Sequence, residues 1–216
     1  MIQITELSRR AAPAVTPQAL ACDSEHLWLS SRDLGTFYKI DVATFQVVEE
    51  IDPPGIVWAA VLTNDGWRLT IGKGLNDDRY VYRYTPNGGF VKLFACPEFA
   101  GSYLSFDGSH LYLSQWYKGH IHRLDDSGTI SRTIEIGAEI CGHTFADGML
   151  YVLRGTEENG ESWSIARVDL GTDTPAINDL AAVPFACRSL AFDGEKFWTN
   201  HRAAGEVVSF SLPRRP

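Results

Sequence analysis

Short apolar runs, each about the length of one strand, recur along the chain and are separated by Asp, Gly and other turn-forming residues. The recurring unit is a stretch of apolar and small residues, then Asp, usually followed by Gly, then a second apolar stretch. It reads LACDSEHLWLSS, LTNDGWRLTIGK, LSFDGSHLYLSQ, TFADGMLYVLRG and LAFDGEKFWTNH. The anchoring acids Asp23, Asp65, Asp107, Asp147 and Asp193 lie 42, 42, 40 and 46 residues apart. Asp-Gly between apolar runs is a hairpin signal, and self-similarity at a fixed period outranks any local reading. A third strand follows in each unit: FYKID, YVYRY, HIHRLD, SIARVD and EVVSFS. A fourth is visible in most, as in VVEEI and FVKLFAC.

Four strands in about 40 to 45 residues is the signature of a β-propeller blade. The pattern therefore predicts an all-β chain, one domain over 1–216, folded as a five-bladed β-propeller with four-stranded blades. The blades fall at about 17–56, 57–99, 100–139, 140–185 and 186–216. The fifth repeat ends after EVVSFSLP with no room for a fourth strand. The alternating segment IQITEL supplies it, so that residues 1–8 close the last blade and remove exposed sheet edges. A β-sandwich or open barrel is the alternative, and neither explains a 40-residue period.

Composition narrows the function. The net charge of −8 argues against nucleic acid or an anionic membrane as partner, since neutralising phosphates needs an excess of Lys and Arg. No run of 18 apolar residues predicts a membrane span. The leading MIQITELSRRAAPAV lacks the basic-then-apolar order of a signal peptide, which points to a cytoplasmic protein. Cys22, Cys96, Cys141 and Cys187 show no CxxC spacing and read as buried thiols.

Aligning the repeats on the Asp places equivalent residues in rings around the propeller axis. Five residues before it stand Gln18, Ala60, Ser102, Gly142 and Arg188; four before, Ala19, Val61, Tyr103, His143 and Ser189. Eight after it stand Ser31, Lys73, Gln115 and His201, with Arg154 at the matching place seven after its Asp; nine after, Arg32, Gly74, Trp116 and Arg202, with Gly155 matching at eight. Trp58 sits near the start of the second blade. An acidic chain thus gathers Arg32, Lys73, Arg154, Arg188 and Arg202 with two histidines near one axis. Convergent cations in a partly desolvated funnel attract a carboxylate or phosphate, and Trp58, Tyr103 and Trp116 offer flat walls. Against this, Asp33, Asp77, Asp78, Glu157 and Glu158 share the same loops and are placed to neutralise the cations, leaving a merely polar channel mouth. Cys141 and Cys187 sit at equivalent positions in adjacent blades, where packing is the simpler role than metal ligation with His143. Trp28, Tyr112, Tyr151 and Trp198 share one repeat position and read as blade-to-blade packing.

The cores LSFDGSHLYLS and LAFDGEKFWTN resemble the repeats of the NHL, gluconolactonase-like and related propeller superfamilies. The gluconolactonase resemblance implies a divalent metal held by Glu, Asn and Asp at the axis. The matching stretches CRSLAFD and GSYLSFD carry Arg188 and Ser102 instead, so no cofactor is predicted and an axial divalent metal is left open. SSRDLGTFYKIDVATFQVVEEI and VWAAVLTNDGWRLTIGKG are similar to stretches of the five-bladed glutamine cyclotransferases, with Trp58, Asp65 and Gly66 in place. That family's Asn-Glu catalytic stretch is missing here, and no catalytic residue is carried over.

Three functional expectations follow. The first is a small anionic metabolite in an axial pocket, held by Lys73, Arg154, Arg188 and Arg202 with Gln115, and walled by Trp58, Tyr103 and Trp116. His143 or His201 would serve as acid or base in a lyase, isomerase or hydrolase step. The second is a non-catalytic scaffold for protein interaction, and the third is cyclotransferase-type chemistry. Homo-oligomerisation is left open.

Overall fold

A computed structural model describes residues 1–74, 78–158, 160–172 and 174–213. After β1 (Thr5–Ala11), the strands fall into five groups. Blade 1 holds β2 (Pro17–Cys22), β3 (His26–Ser31), β4 (Phe37–Asp41) and β5 (Val47–Ile51). Blade 2 holds β6 (Ile56–Thr63), β7 (Gly66–Gly72), β8 (Tyr80–Thr85) and β9 (Gly89–Ala95). Blade 3 holds β10 (Leu104–Phe106), β11 (Leu111–Gln115), β12 (His120–Leu124) and β13 (Ile130–Glu135). Blade 4 holds β14 (Glu139–Ala146), β15 (Met149–Thr156), β16 (Ser162–Asp169) and β17 (Ala176–Val183). Blade 5 is β18 (Arg188–Phe192), β19 (Phe197–His201) and β20 (Glu206–Ser211), completed by β1. Each blade is a four-stranded antiparallel sheet, and the innermost strands β2, β6, β10, β14 and β18 pack in chain order and close back on β2. This is the five-bladed propeller that the repeat predicts, closed by the N-terminal strand.

The repeated Asp builds the turn locally. Asp23 Oδ1 accepts the backbone N–H groups of Glu25 and His26 at 2.8 and 2.7 Å, while Oδ2 takes Trp28 Nε1–H at 2.8 Å. Asp107 does the same with Ser109, His110 and the Tyr112 hydroxyl, and Asp193 with Glu195, Lys196 and Trp198. In blade 4 the device is replaced by a two-residue hairpin, with Asp147 at φ 50° and Gly148 at φ 74° between the paired Ala146 and Met149.

The aromatic ring five residues beyond the Asp then packs on the next blade. Trp28 meets Trp67 at 4.6 Å between ring centroids, and Tyr112 meets Phe145 at 4.9 Å. In blade 4 the matching ring, Tyr151, stands four residues beyond Asp147 and meets Phe197 at 5.1 Å. Inside the blades, Phe37, Val81, Ile121, Ile165 and Val207 hold one third-strand position and are wholly buried.

Adjacent blades touch most closely where β14 meets β18. A Cβ on Gly142 would lie 2.5 Å from Leu190 N and 2.6 Å from the Ser189 carbonyl carbon. Both are backbone atoms and cannot rotate away. Gly142→Ala is therefore expected to cost about 2–3 kcal/mol by overpacking. For a chain of this size that lowers the melting temperature by roughly 4–12 °C in a thermal denaturation scan; an unchanged melting temperature would contradict the backbone-to-backbone contact.

The N-terminal segment does more than complete blade 5. Ahead of β1, Gln3 bridges Ala182 of β17 in parallel, with Ile4 N–H donating to Ala182 O at 3.0 Å and Ala182 N–H to Ile2 O at 2.8 Å. The Ile4 side chain packs in the cluster shared by blades 4 and 5. Residues 2–4 thus clasp two blades, which the sequence pattern did not suggest.

Candidate ligand-binding site

The inner strands open onto one propeller face, and β-bulges shape that mouth. The pairing of first and second strands shifts register between Pro17 and Leu20, Val57 and Ala59, Ile140 and Gly142, and Arg188 and Ala191. A bulge bends its strand and re-aims the neighbouring side chains. The result is an axial cavity of about 280 Å³ to which every blade contributes. Blade 1 gives Gln18 and Arg32; blade 2 gives Trp58 and Arg79; blade 3 gives Ser102, Tyr103, Trp116 and Tyr117; blade 4 gives Glu157; blade 5 gives Arg202.

The lining is rich in donors. Tyr103 is 3% exposed, and among the described residues its hydroxyl has no hydrogen-bond partner; nor do Trp58 Nε1, Trp116 Nε1 and Arg202 Nε. Burial pushes the Tyr103 phenol far above its ordinary range, so it keeps its proton. Arg202 Nη2 donates to Gln18 Oε1, and Gln18 Nε2 donates in turn to Trp58 O at 3.2 Å. Burial, and secondarily Arg188 and Arg32, push the Arg202 guanidinium below its ordinary value. Among the described residues no carboxylate forms an ion pair with it. Arg79 lies 4.2 Å over the Trp58 ring and donates to Ser102 Oγ at 3.3 Å.

Of the residues expected here, the structure brings Trp58, Tyr103, Trp116 and Arg202 together. Arg188 stands one layer behind, 5.1 Å from the Trp116 ring and 5.4 Å from Trp163. It is gripped by Glu161 at 2.9 and 3.0 Å, by Glu157 and by the Cys187 carbonyl. Burial opposes its charge, but the Glu161 hydrogen bonds prevail and hold it firmly protonated. Arg188 therefore buttresses Trp116 rather than lining the cavity.

The other expected residues lie apart. Arg154 makes a two-point pair with Asp179 at 3.0 and 2.7 Å. Gln115 donates to Glu98 O. His201 sits between Arg9, at 3.2 Å, and the ring of Phe185. Lys73 is exposed, its backbone N–H taken by Asp78. His143 is buried below Tyr103, 2.6 Å from Ser105 Oγ and 3.2 Å from Tyr103 O, and burial pushes its pKa down to about 3. Asp33 pairs with Arg32 at 3.3 Å, and Asp77 lies outside the described residues.

Turn length and strand alternation explain this sorting. Ser30, Thr70, Ser114, Leu153 and Asn200 are the true equivalents, each paired with the buried third-strand residue of its blade. They stand seven, five, seven, six and seven residues after the anchoring acid, so the aligned rings match in blades 1, 3, 4 and 5 and overshoot by two residues in blade 2. Two residues on, Arg32, Trp116 and Arg202 share one side of their strands and line the cavity. One residue on, Gln115, Arg154 and His201 point to the opposite side. Arg79 and Tyr117 escaped the sequence reading because neither belongs to an aligned ring.

The cavity also fails to suit the divalent metal that the gluconolactonase resemblance implies. Among the described residues its charged lining is mostly guanidinium, and its one carboxylate, Glu157, is bound to Arg188. Cys141 and Cys187 pack in one apolar cluster, with thiols raised by burial. Among the described residues no group of three or more His, Cys, Asp or Glu is placed to hold a metal ion. A larger cavity of about 320 Å³ lies off the axis between the hairpin turns of blades 2 and 3, where Arg68 is already held by Asp65 at 2.8 and 3.0 Å.

No protein-family model and no curated protein matches this sequence. Solved structures share the fold. The glutaminyl cyclase of Myxococcus xanthus is 13% identical, with a TM-score of 0.69 over 98% of this chain and 97% of that one. The PQQ-bound aldose sugar dehydrogenase of Streptomyces coelicolor is 13% identical, with a TM-score of 0.59 over 98% of both chains. The virginiamycin B lyase of Staphylococcus aureus is 14% identical, with a TM-score of 0.56 over 95% of this chain and 99% of that one. These neighbours are enzymes of differing chemistry, and the likeness is one of fold. Among the described residues no helix is long and apolar enough to cross a membrane.

Proposed function

We propose that the propeller binds a small anionic metabolite in its axial cavity. One observation carries the reading: four buried donors with no acceptor among the described residues, Trp58 Nε1, Tyr103 OH, Trp116 Nε1 and Arg202 Nε, all belong to residues that line a single cavity. A buried donor left unpaired costs about 1–3 kcal/mol, and more when charged. Four in one place is a standing deficit that an acceptor-rich ligand removes. A carboxylate or phosphate fits best, because Arg binds either through strong paired hydrogen bonds. The indole rings of Trp58 and Trp116 supply flat walls for its carbon skeleton.

In this reading neither His143 nor His201 touches the ligand. Tyr103, kept neutral by burial, acts as a hydrogen-bond donor. In a reacting complex the same hydroxyl would stabilise developing negative charge on oxygen rather than accept a proton.

Thermal-shift measurements over a panel of phosphate- and carboxylate-bearing metabolites test the proposal. A ligand at a hundred times its Kd raises stability by about 2.7 kcal/mol. Arg202→Met is expected to abolish that shift while the ligand-free protein stays folded, since the lost hydrogen bond to Gln18 is offset by removal of a largely buried charge. A panel with no responder, or a responder indifferent to Arg202→Met, would refute the reading.

A further inference from the structure

We infer that the ligand is elongated, with its anionic end on the axis and an aromatic arm that passes Arg79 into a side groove against Phe99. The inference rests on the axial anion site proposed above and extends it. The groove, about 210 Å³, lies beside the axial cavity, and Arg79 lines both. Tyr80, Ala95, Cys96 and Phe99 form its apolar surface, with Asp78 and Glu98 on its polar side. The two spaces border on one guanidinium, which lies 4.2 Å over the Trp58 ring, so a ligand that reaches past it enters both.

The presentation of Phe99 is the second part of the argument. Its side chain is 72% exposed, although an aromatic ring gains most from burial. Phe99 and Glu98 also sit at φ 59° and 49°, in the left-handed region that non-glycine residues avoid. A buried relay holds this turn in place. His122 lies 3.0 Å from Thr133 Oγ1 and 3.4 Å from Gln115 Oε1, and Gln115 Nε2 donates to the Glu98 carbonyl. Both relay side chains are almost fully buried, at 1% and 6% exposure. Strain persists where surrounding structure enforces it, and it clusters where ligands are gripped. Gln115 is thereby a positioning residue, acting through the turn. Tyr117, 87% exposed and next to Trp116, extends the aromatic rim on the same blade. The chemical class is an aromatic or aryl-extended carboxylate or phosphate, too long for the axial cavity alone.

Two probes that share a carboxylate separate the possibilities: benzoate, and 4-(benzyloxy)benzoate, which adds a second ring. Calorimetric titration of the whole chain is expected to show the longer probe binding about tenfold more tightly. Phe99→Ala should erase that gain, leave benzoate binding unchanged and keep the parent melting temperature. Arg202→Met should weaken both probes. If both probes bind through Arg202 with equal affinity, or if Phe99→Ala leaves the gain intact, the side-groove inference falls and the axial site stands. If neither probe binds, the side-groove inference falls, and the axial site is then decided by the metabolite panel and Arg202→Met.

Discussion

Removing residues 1–11 is expected to lower the melting temperature by about 10 °C or more and to make the protein prone to association. Part of the loss is the Ile4 side chain, which is 8% exposed and sits in the cluster joining blades 4 and 5. Emptying such a site costs about 2–5 kcal/mol, and each kcal/mol is worth about 2–4 °C at this chain length. The rest is pairing. β1 lies along β20 from Thr5 opposite Ser211 to Ala11 opposite Glu206, and without it that ladder faces water as an open edge. Arg9 would also leave Glu206, its partner at 2.5 Å. These contacts join residues about two hundred positions apart, as in the 2.6 Å hydrogen bond between the Ser8 and Ser209 hydroxyls, so they also hold the ring shut against the entropy of a long open chain. Ile4→Ala keeps β1 and should fall between the parent and the truncated chain. A truncated protein melting within about 3 °C of the parent would mean that the blade 1–blade 5 interface closes the ring unaided.

The closure illustrates what the sequence discloses and what it withholds. That blade 5 lacks a strand and that IQITEL alternates are both properties of a short window, and they suffice to pair β1 with β20. The parallel bridge from Gln3 to Ala182 rests on a single residue and leaves no periodic trace. The same division runs through the candidate site. Asp23, Asp107 and Asp193 announce their turns because each carboxylate bonds backbone within three residues. The aromatic five positions later follows from the same local geometry. Which side chains reach the axis depends instead on turn length and on bulges, where one residue more or less reverses a strand's facing. Trp116 and Arg202 reach the cavity because they stand two residues beyond the strand position paired with the buried third strand, whereas Gln115, Arg154 and His201 stand one residue beyond it and face away. Lys73 is three residues beyond Thr70, because the blade 2 hairpin is shorter than the count from its Asp assumes. Arg79 contributes from the start of a third strand, where no repeat element marks it. Phe99 depends on two left-handed residues and a relay from Thr133, all beyond the reach of pattern.

Acid is expected to destabilise the protein from about pH 6.5 downward, well before its carboxylates titrate, and His143 is the main reason. The imidazole is 1% exposed, and burial pushes its pKa from 6.5 to about 3, against a small opposing effect of the Tyr103 carbonyl. A carbonyl can only accept, so Nε2 carries the hydrogen and Nδ1 accepts from the Ser105 hydroxyl. The ring is thus fully satisfied in its neutral form, and among the described residues no counter-charge awaits a second proton. Above pH 6.5 the folded and unfolded chains both hold it neutral, and its contribution to stability is complete. Below that, the unfolded chain takes up a proton that the folded chain refuses until about pH 3. Stability then falls by about 1.4 kcal/mol per pH unit, or roughly 2.7 kcal/mol between pH 6.5 and 4.5. His122, also lowered by burial, adds a smaller slope of the same sign. A second stage begins near pH 4. Asp179, lowered by its Arg154 hydrogen bonds, stabilises the fold only while ionised. Asp23 and Asp107 behave alike: their turn hydrogen bonds outweigh burial and hold both carboxyls low, so that contribution is lost as pH falls. His143→Gln can make both hydrogen bonds without titrating. In urea unfolding from pH 8 to 4.5 it should be less stable than the parent at pH 8, yet lose most of the slope between pH 6.5 and 4.5. A variant that keeps the parent's slope would show that the proton is taken up elsewhere, and that the histidine beneath the axial cavity is not the acid-sensitive point of the fold.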